Sequence, residues 1–334
     1  MQPSSAVTAR VVVEHRGLYR VLAGDTEFDA IVPGKMQFDA ESRADLPAVG
    51  DWVTVEPIDE SQCVIRELSP RRSAFVRKVA GFSADSQIVA ANVDVVFVVD
   101  QLDTGPNPRR IERYLTVAWE SGAVPVVVLA KADLSLDVAA ALELVAPSAP
   151  GVEVHAVSSV TGDGLDALRV HLGPDVTVAA MGPSGVGKSS LINALAEAEV
   201  MATKDVRWDG KGRHTTTHRE LVVLPSGASI IDTPGMRELG LFEGDEGIDR
   251  TFSDIAAFAE QCRFRDCAHD REPGCAVRAA LDSGELSAER YASYTKQLRE
   301  LAAIARKKDR RLANEEAKKW KRLNKEGRAR ARMR

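Results

Sequence analysis

Long hydrophobic runs are missing from this 334-residue chain, and cysteines are few. The longest apolar stretches, such as Ala123–Ala130, are strand-sized, far short of the ~20 residues a helix needs to cross a bilayer, so no membrane partner is expected. The opening MQPSSAVTAR lacks the basic-then-apolar layout of an export signal, which points to a cytoplasmic location. Four cysteines give no disulfide framework, and three of them, Cys262, Cys267 and Cys275, fall within fourteen residues. In a reducing compartment that cluster reads as a metal site. What is present is a globular balance, 44% hydrophobic and 28% charged, in a chain long enough for two or three domains.

The net charge of −5 conceals an asymmetry. Residues 301–334 carry fourteen Lys/Arg against four Asp/Glu, so the first 300 residues are strongly acidic. A basic terminal segment is either a solvated helix or an arm attracted to phosphate. Residues 1–70 hold six Lys/Arg against twelve Asp/Glu. They read as about five short β-rich runs broken by Gly, Pro and Asp, which suggests a small barrel, OB-like or SH3-like, with the OB-like form leading. Residues 71–92 read as a connector, basic over Arg71–Lys78. From Val93 the pattern changes to continuous apolar strands (Val95–Asp100, Val124–Ala130, Val152–Val157, Val176–Met181) alternating with helices near 108–121, 136–145 and 165–172. That alternation implies a parallel sheet covered on both faces, here over 93–250. A helical region with the Cys/His cluster follows at 251–300, then the basic helix or tail at 301–334.

The strongest motif is Gly182, Pro183, Ser184, Gly185, Val186, Gly187, Lys188, Ser189 and Ser190, which fits G-x-x-x-x-G-K-[ST] between a strand and a helix. Glycines let successive N–H groups turn toward phosphate oxygens, Lys188 can bridge the β- and γ-phosphates, and the Ser189 hydroxyl can ligate Mg²⁺. Asp232-Thr-Pro-Gly235 follows another apolar strand, where Asp232 suits the Mg²⁺ shell and the Gly235 amide the γ-phosphate. Ala130, Lys131, Ala132 and Asp133 end a third strand and resemble the guanine-reading N-K-x-D element. Ser158 and Ser159 end the next strand, where a base-lining loop would sit. All these elements fall at C-terminal strand ends, the ligand side of an α/β sheet. The base-reading elements precede the phosphate loop, and Asp232 comes last, so the set is circularly permuted. A plain P-loop ATPase is the weaker alternative, because Asp133 favours guanine.

With Val49-Gly-Asp-Trp-Val53, Arg71, the run 106–115, Gly212-Arg-His-Thr-Thr-Thr217 and the Cys/His cluster, nearly the whole chain resembles the ribosome small subunit-dependent GTPase A family. The resemblance implies an N-terminal OB barrel, a central circularly permuted GTPase and a C-terminal zinc domain. It also implies GTP/GDP, Mg²⁺ and one Zn²⁺ as cofactors, and the small ribosomal subunit with its rRNA as partner; the protein itself is expected to be a monomer. The expected role is late maturation of that subunit, which stimulates hydrolysis. An RNA-binding assembly factor with a largely structural nucleotide site is the competing role. Ala130 departs from the family, which has Asn there, and Ser159 replaces the usual Ala; retained but weakened guanine preference is expected.

Met236 follows Gly235, and a thioether cannot orient an attacking water. The nearby polar candidate is His214, the catalytic residue the resemblance also implies. One of Thr215, Thr216 and Thr217 should complete the Mg²⁺ shell, with Thr216 favoured. Cys262, Cys267, His269 and Cys275 form a Cys₃His set suited to tetrahedral Zn²⁺ with no open position. His155, His171 and His218 lack such company and read as structural, and Cys63 reads as a small core residue.

Overall fold

The computed structural model describes residues 6–15, 17–78, 86–197, 219–232 and 246–306. Five strands, β1 (Val7–His15), β2 (Leu18–Ala23), β3 (Thr26–Ile31), β4 (Trp52–Pro57) and β5 (Gln62–Leu68), close into a barrel in the order β1-β2-β3-β5-β4-β1. Only β3 and β5 pair in parallel; the other neighbours are antiparallel. Alternation fills the interior: Val53 and Val55 of β4 and Cys63 and Ile65 of β5 are fully buried, each two residues from the next on its strand. Cys63 is the small core residue expected. Between β3 and β4 the chain makes the short helix α1 (Gly34–Asp39).

The stretch read as a connector contains an antiparallel pair, β6 (Ala74–Lys78) and β7 (Ser86–Ala91). Phe75, Ile88 and Val89 of this pair are buried in the core, so apolar burial outweighs the basic character that dominates its sequence.

The parallel strands are β8 (Val95–Gln101), β9 (Val124–Ala130), β10 (Val154–Ala156), β11 (Thr177–Met181) and β13 (Ser229–Asp232), in the order β10-β9-β8-β11-β13, with β12 (Arg219–Val223) antiparallel to β13. Strand β10 is shorter than its apolar run suggested. The continuous apolar runs have their reason in two covered faces. Phe97, Val99, Val126 and Val128 pack toward α4 (Leu165–Arg169) and α5 (Lys188–Ala196). Their neighbours Val98, Val127 and Leu129 pack toward α2 (Pro108–Ser121) and α3 (Val138–Val145). Helix α2 starts where the Asn107 side chain accepts from the Arg110 N–H, with Pro108 in its first turn, and ends at Gly122 in the left-handed region (φ 88°).

Strand β1 also pairs with β12 (Val13↔Glu220, Glu14↔Arg219), joining barrel and parallel sheet into one eleven-stranded sheet. The Val49–Val53 motif lies at this joint. Gly50 has φ +93°, and a Cβ there would sit 2.1 Å from the Ala91 carbonyl oxygen, so only glycine fits. Asp51 is fully buried and paired through both oxygens with Arg71 (2.8 and 2.7 Å). Arg10 crosses the joint, donating to the Gly50 carbonyl (2.8 Å) and the Thr177 hydroxyl (2.9 Å) while stacking on Trp52. Burial lowers its pKa to about 10, which leaves it charged at neutral pH.

After the parallel sheet come α6 (Glu246–Thr251), α7 (Ser253–Ala259), α8 (Ala276–Ser283) and a helical stretch over 288–306. Ile248, Phe252, Ile255 and Leu301 join the core cluster that contains Val117 and Ala118 of α2. Leu301 is thus already packed onto the protein, whereas the basic segment 307–334 lies outside the described residues. Among the described residues no helix is long and apolar enough to cross a membrane.

Candidate functional site

The phosphate loop connects β11, in the middle of the parallel sheet, to the first turn of α5. Its three glycines all have positive φ: Gly182 +152°, Gly185 +78° and Gly187 +109°. At Gly182 a Cβ would also lie 2.3 Å from the Val99 carbonyl oxygen, so the loop's close return over β8 requires glycine. Lys188 opens α5, and its ammonium donates to the carbonyls of Gly182 (2.8 Å) and Pro183 (2.6 Å) within the same loop. A lysine carried on the loop, glycines that expose N–H groups and a helix N-terminus fit a triphosphate. Ser189 and Ser190 occupy the first turn of α5, where Ser189 would meet Mg²⁺.

The base-reading elements end β9 and β10, which pair in parallel (Ala156↔Leu129). Lys131 adopts a left-handed conformation (φ 62°) that turns the chain, and the Ala132 N–H donates to the Val157 carbonyl across the two strand ends (3.0 Å). The Ser158 hydroxyl accepts from the N–H groups of Val160 (3.2 Å) and Thr161 (3.1 Å) and donates to Asp133 Oδ1 at 2.6 Å. Its proton is therefore committed to Asp133, whose exposed carboxylate is held as an acceptor. An acceptor in this position suits guanine, which presents N1–H and an exocyclic amine on one edge. Lys131 pairs with Asp103 (2.7 Å), just beyond β8, and with Gln101 (3.0 Å), the last residue of β8. Ser159 is half-buried in the turn that follows Ser158. Ala130 is buried, and a Cβ built on Gly187 would lie 3.7 Å from its methyl, so this departure from Asn sits against the phosphate loop. Sequence reasoning placed Ser158 in the base loop but missed its bond to Asp133, which no spacing announces.

Asp232 ends β13 and pairs in register with Glu220 of β12, one strand from the phosphate-loop strand. Nothing further is described of its side chain. Gly235, His214, Thr216 and the flanking Thr215, Thr217 and His218 lie outside the described residues.

Cys262, Cys267, His269 and Cys275 converge as expected, with their ligand atoms all within 4.8 Å of one another. Cys262 Sγ lies 3.9 Å from Cys275 Sγ and 3.6 Å from His269 Nδ1, which is itself 3.5 Å from Cys275 Sγ. Tetrahedral zinc with ordinary bond lengths places such atoms roughly 3.8 Å (S to S) and roughly 3.6 Å (S to N) apart, so the donor set fits. His269 reaches inward from a left-handed position (φ 59°). Glu272 holds the loop by accepting from the N–H groups of Ala268, Asp270 and Arg271, and these donors, with its own N–H, keep its carboxyl below the ordinary range. Burial opposes ionisation of Cys262, but N–H donors at Val277 and Ala276, opening α8, help draw its thiol below the ordinary value.

The structure corrects one expectation. His155 and His171 are not without company: Glu153 brings both imidazoles to one carboxylate. The missed signal was Glu153-x-His155, two residues apart on an extended segment and so on one face.

The RsgA GTPase family model matches residues 68–242, and a model described as 50S ribosome-binding GTPase matches 177–312. The chain is 48% identical over 297 residues to the small ribosomal subunit biogenesis GTPase RsgA 2 of Lactiplantibacillus plantarum, covering 89% of this chain and 84% of that one. It is 47% identical over 319 residues to RsgA 1 of Oceanobacillus iheyensis, with 95% and 91% covered. Among solved structures it is similar to YjeQ from Thermotoga maritima (TM-score 0.67, 26% identity, 89% of this chain and 99% of that one). It is also similar to YloQ, a circularly permuted GTPase (TM-score 0.66, 26% identity, 90% and 97% covered). A permuted order of nucleotide motifs, a barrel before them, a Cys₃His cluster after them and identity across nearly the full length agree: the chain belongs to the RsgA GTPase family.

Proposed function

We propose that this protein hydrolyses GTP on the assembling small ribosomal subunit, acting as a monomer in the cytoplasm, with the subunit triggering hydrolysis. The observation that carries the guanine assignment is the Ser158–Asp133 bond, which orients a carboxylate acceptor just after Ala130, the residue that adjoins Gly187 of the phosphate loop. In this reading Lys188 and the loop amides hold the phosphates, and Ser189, Thr216 and Asp232 serve Mg²⁺. The Gly235 amide meets the γ-phosphate, and His214 orients the attacking water. The Cys₃His set holds one structural Zn²⁺, and the basic terminus contacts rRNA phosphates.

The topology supports a role for the partner. The segment carrying His214 precedes β12 in the chain, and β12 is bonded to β1 of the barrel. The segment carrying Gly235 lies in the chain between β13 and α6, and α6 packs on α2 and leads to the cysteine cluster. Both hydrolytic segments are therefore tied to domains a subunit would contact. Co-sedimentation with purified small subunits tests this: binding should appear with a non-hydrolysable GTP analogue and be absent with the ATP analogue. Equal binding with both analogues would contradict it.

A further inference from the structure

We propose a second divalent-metal site at the open edge of the parallel sheet, formed by Glu153, His155 and His171 and suited to a borderline transition-metal ion such as Zn²⁺. Strand β10 is the edge strand, and the Glu153 carbonyl extends its pairing by accepting from Val127 N–H. Glu153 and His155 thus share a face, while His171 arrives from the chain just beyond α4. Glu153 Oε2 lies 3.0 Å from His155 Nε2 and 3.5 Å from His171 Nε2, and one ligand atom from each residue falls within 4.8 Å of the others. With metal–nitrogen and metal–oxygen bonds near 2.0–2.1 Å, neighbouring ligand atoms stand roughly 2.9–3.5 Å apart, a range that both Glu153–imidazole separations meet.

A plain imidazole–carboxylate pair accounts for His155 only. His171 Nε2 is buried and lies 3.5 Å from that same carboxylate oxygen, beyond the length of a well-formed hydrogen bond. A buried ring nitrogen held only loosely against an oxygen can turn its lone pair to a metal ion instead. Its edge contact with Phe97 fixes the ring's direction. Glu153 is 60% exposed, which gives an ion a route in and leaves water free to complete the shell. Two imidazole nitrogens and a carboxylate select zinc, nickel or copper over magnesium or calcium. The bound ion would clip β10 to the chain after α4, closing the segment 155–171 that contains Ser158.

The test counts zinc in the full-length protein at micromolar free Zn²⁺. Two ions per wild-type chain are expected, with Glu153→Gln and His171→Ala each retaining one and weakening the second site at least ~10-fold. Glu153 is on the surface, so the glutamine variant separates ligand loss from misfolding. With Co²⁺ as probe, the cysteine cluster gives thiolate charge-transfer absorption. The second site adds ligand-field bands without it, and those bands should vanish in Glu153→Gln. One zinc per wild-type chain, or two retained in Glu153→Gln, would overturn the proposal.

Discussion

Replacing Arg290 with methionine probes how residues 246–306 are held against the nucleotide-binding sheet. Arg290 is 6% exposed and donates to both oxygens of Asp254 (2.6 Å each), to Glu112 Oε1 of α2 (2.9 Å) and to the Thr251 carbonyl (2.8 Å), with its face over Phe252. Methionine keeps much of the apolar stem and removes the charge. The two carboxylates then part company. Asp254 is 32% exposed and can regain water, whereas Glu112, at 3%, cannot. Breaking a buried pair from one side costs about 3–5 kcal/mol, mainly through the charge left behind. Burial already raises the Glu112 pKa against the lowering effects of Ser293, Arg290 and Ser148, and removing Arg290 raises it further. A carboxylate with a raised folded-state pKa contributes stability that is full below its unfolded value and is lost as pH rises through the folded one. The Arg290→Met penalty should therefore be largest near pH 7 and shrink toward pH 5. Adding Glu112→Gln should recover at least about 1 kcal/mol at pH 7, because the stranded charge is gone. Hydrogen exchange of amides in 246–306, at both pH values, reads the local opening energy. A penalty independent of pH, with strictly additive costs in the double variant, would refute this reasoning.

Ser158→Ala removes the donor that aligns Asp133; a charge-assisted bond is worth about 1.5–3 kcal/mol, so GTP affinity should fall roughly 10-fold by titration, and no change would separate Asp133 from base reading. His214→Ala should leave GTP affinity within about a factor of two in equilibrium titration while lowering subunit-stimulated turnover by ~10²–10⁴-fold. Cys267→Ala should abolish zinc at the Cys₃His cluster and destabilise residues 256–300, read by elemental analysis and proteolysis; full zinc retention would dismiss the ligand set.

The parallel strands were legible because β8 and β9 must be apolar on both faces, and a continuous run has few other readings. The phosphate loop was legible because glycine is compulsory where the Val99 carbonyl crowds Gly182. The β6–β7 pair was not, since Arg71, Arg72, Arg77 and Lys78 mask the alternation that buries Phe75. The Val49–Val53 motif could be matched to a family but not explained. Its meaning, a glycine at a crowded joint and an aspartate neutralised by Arg71, depends on contacts twenty or more residues away. The same holds for Glu153 and His171, which are eighteen residues apart and meet only when the chain returns after α4.

The most direct test of the account is the rate of GTP hydrolysis by the full-length protein with and without purified small ribosomal subunits. The account predicts slow turnover alone and a large increase with the subunits, present with GTP and absent with ATP. An equal rate in both conditions, or equal stimulation with ATP, would contradict it.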